Sequence, residues 1–307
     1  ERGIGGQKNA HNVPNLYEYK LHRLFSYESL DADKAPRGVV GIPRVLNMYE
    51  DYPFWFTFFT KLGFQVVHSP MSSRKLYLEG QGSIPSDTAC FPAKLAHGHI
   101  EFLAKLGVDA IFYPCMTYNL DEGLGDNHYN CPVVAYYPEV LDANIAALQN
   151  VKFIYDYVGL HRRKDFPGKM TNILAQYFDP IPEKEVKAAS DAAYAEYYAH
   201  MERIHKKGQE YLALAKEKDL PVIVLSGRPY HVDPEINHGI NDLITSFGFV
   251  LVTEDAVFQH MDKQPRHVLN QWTYHARMYN AARYVCTQPD MAFIQLVSFG
   301  CGVDAIS

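Results

Sequence analysis

Short, strand-length apolar runs alternating with amphipathic helical stretches predict an α/β protein. The expected layout is two doubly wound, parallel-sheet domains of Rossmann-like form joined by a helical connector. Length and composition agree: 307 residues suggest about two domains. Hydrophobic residues at 47% against 21% charged are enough to build cores and too many for disorder. The expected bounds are an N-terminal arm over 1–36, a first domain over 37–158, a connector over 159–218 and a second domain over 219–307. The second domain is expected to be cut short before a helix that would cover its sheet.

The elements follow in chain order. Leu16, Tyr19, Lys20 and Leu24 have loosely helical spacing and predict one docked helix within the polar arm. Gly38 to Pro43 reads as a buried strand. Pro53 to Leu62 reads as a helix with proline at its first position and Gly63 at its end, carrying Phe54, Trp55, Phe56, Phe58 and Phe59. Phe64 to His68 is a second strand. Pro92 to Leu106 is a helix stopped by Gly107, with Leu95, His99, Phe102, Leu103 and Leu106 as its buried stripe. Asp109 to Cys115 is a third strand and Pro132 to Tyr136 a fourth. From Glu183 to Lys218 an Ala/Glu/Lys-rich stretch predicts a connector helix, weakened midway by Gly208. A second α/β unit then opens with the strand Pro221–Leu225. A helix capped by Asp233 follows, with Ile236, Ile240, Leu243, Ile244 and Phe247 on one face. Strands at Phe249–Thr253 and Ala292–Val297 complete it.

Composition excludes several functions. Lys plus Arg number 29 and Asp plus Glu 35, a net charge of −6, so no basic excess exists to neutralise nucleic-acid phosphates. No apolar run approaches the roughly 18 residues of a membrane span. Five scattered cysteines do not make a secreted disulfide framework, which points to the cytoplasm. The phosphate-binding GxxxxGK[ST] pattern, HExxH and GxSxG are absent, and the Gly3–Gly6 run follows no strand and opens no helix.

The cysteines carry more information. Cys115 ends a strand, Cys301 follows one within Ser298–Gly302, and Cys90 precedes a helix. Strand carboxyl ends and helix beginnings share the rim where open α/β sheets bind ligands. Three thiols are therefore expected at one crevice between the domains, where helix N-termini favour anionic groups. Plain core packing stands beside this reading, because free cysteine is among the most buried residue types. Spacing alone does not separate iron–sulfur, zinc or no metal. Strand polarity puts Cys131 on the opposite rim, and Cys286, at a helix end, reads as structural. Arg228, Tyr230 and His231, directly after a strand, are exposed-type polar residues suited to an anion. A turn with a capped helix is the alternative. The 14 histidines show no ligand pairing, since even His97 and His99 face different sides of one helix.

Six segments together carry a resemblance. They are Gly41–Met48, Ile84–Lys94, Ile111–Cys115, Tyr129–Val134, Gly227–His231 with Asp233–Gly239, and Ser298–Gly302. With them the sequence resembles the activase-related proteins of the 2-hydroxyacyl-CoA dehydratase and benzoyl-CoA reductase group. These include an uncharacterised domain that accompanies ATPase activase domains, and double-cubane cluster proteins are relatives. The resemblance implies an oxygen-sensitive iron–sulfur protein of anaerobes, with a [4Fe–4S] cluster between two domains and electrons from an ATP-driven activase. It implies Cys90, Cys115 and Cys301 as ligands, with Cys131 as a fourth. It further implies reductive chemistry on a small substrate, such as an acyl-CoA. Two departures stand out: five cysteines fall short of the six a double cubane would use, and the activase's own ATP-binding motifs are missing. The alternatives are a non-catalytic partner of the same fold with zinc or no metal, and a small-molecule binding module built on Arg228 and His231.

Overall fold

The computed structural model describes residues 12–263 and 269–306, so the Gly3–Gly6 run lies outside the described residues. In chain order the elements are α1 (Leu16–Leu24), β1 (Val39–Ile42), α2 (Met48–Lys61), β2 (Gln65–His68), α3 (Arg74–Gly80), α4 (Phe91–Leu106), β3 (Ala110–Phe112), α5 (Pro132–Asn144) and β4 (Lys152–Ile154). They continue with α6 (Phe166–Tyr177), α7 (Glu183–Glu217), β5 (Val222–Ser226), α8 (Pro234–Asn237), α9 (Ile240–Ser246), β6 (Val250–Val252), α10 (Thr273–Val285) and β7 (Met291–Gln295). The strands form a four-stranded sheet of order β2-β1-β3-β4 and a three-stranded sheet of order β6-β5-β7. Every strand pair in both is parallel. The protein is thus mixed α/β with two parallel sheets. It divides into two compact units: residues 26–120 with 129–198, and residues 1–25 with 121–128 and 199–307.

In the four-stranded unit the aromatic load of α2 forms the core. The Trp55 and Phe112 rings lie 4.5 Å apart and those of Phe54 and Phe166 5.2 Å apart, all fully buried. The helix starts at Met48 rather than at Pro53. Asn47 accepts the first backbone bonds from Glu50 and Asp51 with its carbonyl, and Pro53 rides inside the helix. Between α3 and α4, glycine permits close approach: a Cβ on Gly98 would stand 2.1 Å from the Leu76 carbonyl oxygen. Beside that contact His99 is fully buried between the Ser69 hydroxyl at 2.7 Å and the Ser72 hydroxyl at 3.0 Å, a structural histidine. Leu106, expected in the stripe, is exposed at the last turn.

The largest correction is at Pro132–Tyr136, which begins helix α5 and is no strand. The β-branched run suggests a strand, but the period decides: Val134, Tyr137, Pro138 and Leu141 are buried at helical spacing. Pro138 lacks the N–H that would bond the Val134 carbonyl, and that oxygen accepts the Met116 N–H at 3.5 Å instead. The fourth strand is β4, which the sequence reading did not mark.

In the three-stranded unit Val222, Val224, Val250 and Val252 pack with Leu16 of α1, Val257 and Val285. The docked N-terminal helix belongs here: the Pro14 carbonyl accepts the Leu251 N–H at 3.0 Å, and Asn15 caps α1. Gly208 does not interrupt α7, which is one helix of 35 residues. Its missing side chain admits Ala256, whose Cβ would stand 2.4 Å from an added Cβ. The single helix expected after Asp233 is two. Asp233 caps α8 as expected, accepting the Glu235 N–H at 2.9 Å. The Asn237 side chain then accepts the Gly239 N–H at 2.8 Å, His238 and Gly239 turn left-handed, and the helical phase resets. Phe247 and Leu243 consequently face outward, while Asn241, Ile244 and Thr245 are buried.

At the end of β6, Glu254 and Asp255 are buried side by side. Burial, reinforced by the Asp255 carboxylate, pushes Glu254 up to about 7. Burial also opposes ionisation of Asp255, but Lys20 and Arg277 outweigh it and hold that group below its usual range. Glu254 therefore binds its proton more tightly folded than unfolded. The associated stability is complete below the ordinary carboxylate range and is lost as pH rises to about 7. Glu254→Gln should accordingly stabilise the protein by about 1–3 kcal/mol at pH 8 and change little near pH 4. Urea unfolding midpoints at the two pH values check this, and equal effects at both would refute it.

Candidate functional site

Three of the five cysteines meet the carboxyl rim of the four-stranded sheet by two local devices. Cys115 lies three residues past β3, where its N–H donates to the Tyr155 and Asp156 carbonyls and its carbonyl accepts the Val158 N–H at 3.1 Å. Cys90 and Cys131 are the N-caps of α4 and α5. Their backbones are nearly identical, with φ and ψ of −63° and 152° against −64° and 156°. Each is followed by proline in the first helical positions, which pre-sets the helical φ and needs no donor there. Because α5 replaces the expected strand, Cys131 sits at a helix beginning on the same rim as Cys115, not at the opposite one. Both helix N-termini favour negative charge at these thiols.

Tyr113, 3% exposed, stands just past β3, and its hydroxyl lies in the electrostatic reach of Cys115, Cys131 and Cys90. Burial first, then these thiols, raise its pKa well above the ordinary value. Among the described residues nothing exchanges a hydrogen bond with that hydroxyl. Cys115 is buried, and burial, with the Glu139 carboxylate adding, pushes its thiol up to about 12. Such a thiol is no nucleophile at neutral pH; a metal ion's charge is what ionises a cysteine in surroundings of this kind.

A second layer fixes the two caps. His97 of α4 bonds the Ser83 hydroxyl at 2.8 Å and the Tyr137 hydroxyl of α5 at 3.0 Å. Burial first, and then Cys90, pushes the Tyr137 hydroxyl up to about 12. Burial takes His97 down to about 4, so it is neutral at physiological pH. Asn47, after β1, donates to the Asn130 side chain at 3.1 Å, and Asn130 donates to the Met116 carbonyl at 3.0 Å, pinning the residue before Cys131. Among the described residues no group of three His, Cys, Asp or Glu side chains is placed to hold a single metal ion. The three thiols at this rim are soft donors.

Cys301, Arg228, Tyr230 and His231 belong to the other unit. The three polar residues were expected exposed and are 5%, 5% and 2% exposed. Their anion is internal: Arg228 donates from Nε and Nη2 to Asp304 Oδ1 at 3.1 and 2.8 Å, and His275 Nε2 lies 3.0 Å from the same oxygen. Burial opposes the Asp304 charge, but His275 and Arg228 hold its carboxyl well below the usual range. His231 Nδ1 accepts the Arg228 N–H at 2.8 Å, so its Nε2 carries the proton toward the Ser298 hydroxyl 2.9 Å away. That tautomer cannot take a proton from Ser298, which excludes a serine nucleophile here. Cys301 is half-buried in a depression of about 550 Å³ lined by Val297–Gly302 and Ala305, and burial raises its thiol. Cys286, expected to be a core-type cysteine, is exposed at the end of α10.

Sequence reasoning missed Tyr113, Tyr137, His97 as a link, and Asp304. A hydroxyl ending an otherwise apolar strand marks Tyr113; nothing local marks Asp304, whose partner is 76 residues away.

A family model described as CoA enzyme activase uncharacterised domain (DUF2229) matches residues 39–257, more than two-thirds of the chain. The match contains Cys90, Cys115, Cys131 and Arg228–His231 and ends before Cys286 and Cys301. A search of curated proteins found no match.

Proposed function

Since the chain belongs to the CoA enzyme activase uncharacterised-domain family, we propose that it is an iron–sulfur electron-transfer protein of a CoA-enzyme system. Its Cys90, Cys115 and Cys131 would hold a [4Fe–4S] cluster. The observation that carries this reading is the placement of Cys115 just past β3 and of Cys90 and Cys131 as the N-caps of α4 and α5, all at the carboxyl rim of one parallel sheet. A lone zinc ion would need its thiolates drawn in to about 2.3 Å, whereas a cluster is a larger body gripped at its corners. When bound, such a cluster supplies one-electron transfer at low potential. The protein's own residues do the rest. Cys115 comes from a buried strand end where little water enters. Cys90 and Cys131 present sulfur at two helix N-termini, which offset the negative charge of thiolates. The Ser83–His97–Tyr137 bonds keep α4 and α5, and hence those two sulfurs, at fixed separation. The parallel pairing and the strand orders support a Rossmann-like reading of each unit.

The electron donor in this reading is an ATP-driven activase, and the acceptor chemistry is reduction of a small, acyl-CoA-type substrate on or beyond this protein. Among the described residues no helix is long and apolar enough to cross a membrane. Anaerobic reconstitution with ferrous iron and sulfide tests the proposal. About four irons and four labile sulfides per chain, with a reducible brown chromophore, are expected. Stoichiometric zinc without sulfide would favour the non-catalytic binding module instead, and no uptake of either would refute the reading.

A further inference from the structure

The outer side of α5 and the residues after β4 make a surface that the thiol rim does not use. Pro132, Tyr136, Glu139 and Ala143 fall at helical spacing and are all exposed, so α5 turns one stripe to solvent. Residues 155–157 are fixed by backbone: the Cys115 N–H donates to the Tyr155 and Asp156 carbonyls at 3.3 and 3.2 Å, and Tyr157 bridges Cys115 in parallel register. Tyr155 and Tyr157, two residues apart, both reach α5. Tyr157 donates to Glu139 at 2.7 Å and Tyr155 to Asp142 at 3.0 Å. The Tyr136 and Tyr157 rings lie 6.0 Å apart and are 45% and 42% exposed, so two large rings stand open side by side. A phenol donor leaves a carboxylate its full charge, and among the described residues neither Glu139 nor Asp142 pairs with a cation. Acidic groups of α7 differ: Asp191 meets Lys187 and Arg163, and Glu202 meets Lys206.

We infer that this face docks a protein partner presenting lysine or arginine side chains. Tyrosine is enriched among the residues that carry protein interfaces. An open ring attracts an ammonium or guanidinium over its face, and a carboxylate beside it completes the recognition of a cation. Charge also selects against a second copy of this chain, whose net charge of −6 would bring like sign to the face. An occupant seated here lies against the segment that holds Cys115 by backbone bonds. Naming it as the electron donor rests on the electron-transfer reading; the face itself rests on its tyrosines and carboxylates.

Binding of the full chain to cytochrome c, a lysine-rich protein probe, tests this by calorimetry at low and physiological salt. The wild type should bind, and its affinity should fall as salt rises. Tyr136→Ala, which leaves every charge in place, should weaken binding about fivefold or more, the scale of an interface aromatic that carries contact. Glu139→Gln with Asp142→Asn should weaken it at low salt and flatten the salt dependence. Glu183→Gln with Glu217→Gln removes the same charge from the exposed ends of α7 and should change affinity less than about twofold. Thermal unfolding establishes that each variant is compared as folded protein. Equal losses from the two double variants, or an unchanged affinity in Tyr136→Ala, would reduce the attraction to net charge and overturn the inference. Absence of binding at low salt would overturn it as well, and a wild-type dimer that Tyr136→Ala dissolves would give the face to a second copy instead. No iron enters the measurement, so docking can fail on a chain that loads a cluster and succeed on one that takes up none.

Discussion

Cys115→Ser should leave a folded protein that, after anaerobic reconstitution, holds at least about tenfold less iron than the wild type. Loss of an outer partner alone typically costs a metal site about 10–100-fold, and loss of a direct thiolate should cost no less. Serine keeps the size of the side chain but offers a hard oxygen that stays protonated in a buried site, so it cannot replace the sulfur. Cys90→Ser and Cys131→Ser should act in the same direction, because each removes a sulfur from a helix N-cap on the same rim. Cys286→Ser should change nothing, since that side chain is exposed at the end of α10. Cys301→Ser decides the coordination number. Iron content unchanged would leave three cysteines and an iron open to substrate, and reduced content would mean a fourth thiolate and pure electron transfer. Urea unfolding of the unloaded variants separates loss of ligand from loss of fold. Cys115→Ser protein with wild-type iron and sulfide would end the cluster reading.

How far this was legible in the sequence differs between fold and site. The strands β1, β2, β3, β5, β6 and β7 are short apolar runs between turn signals, and local pattern suffices for them. Residues 132–141 show where it fails. Over five residues Pro-Val-Val-Ala-Tyr reads as a strand, and only the burial of Leu141, nine residues after the proline, reveals the helical period. That error had a chemical consequence, because element type determines which rim Cys131 occupies. Gly208 shows a different limit. Its helix-weakening tendency is genuine, but the close approach of Ala256 is a tertiary reason for glycine that no local window contains. The cysteines were visible as candidates because few residue types combine burial with soft ligation. Tyr113 was not, since a tyrosine just past a strand has a bland explanation until its buried hydroxyl is found without a hydrogen-bond partner among the described residues. Arg228 and His231 were legible as a motif and misread in exposure, because the carboxylate that buries them comes from Asp304, far along the chain.

That carboxylate supplies the second large effect. Asp304→Asn should destabilise the three-stranded unit by about 3–5 kcal/mol, the usual cost of removing one member of a buried ion pair. Arg228 donates twice to Asp304 Oδ1 and His275 approaches the same oxygen, with Arg228 and Asp304 side chains 4% and 1% exposed. The amide oxygen of asparagine can still accept a hydrogen bond, but it carries no charge, so the buried guanidinium would lose the carboxylate to which it donates twice. Charge is the issue rather than shape. Replacing both partners by apolar residues, Arg228→Met with Asp304→Leu, should therefore recover much of the loss, since well-packed apolar pairs often equal buried ion pairs. The pH dependence has a definite sign. Burial works against the Asp304 charge, yet His275 and Arg228 hold its folded pKa well below the usual range. The stability it confers is thus present above the ordinary aspartate pKa and is lost only as pH falls through the depressed folded value. The gap between wild type and Asp304→Asn should hold from neutral pH down to about 4 and close only in stronger acid. Urea titrations across that range measure it. A gap under about 1 kcal/mol at pH 7 would put the pair in the class of surface ion pairs and void the argument from burial.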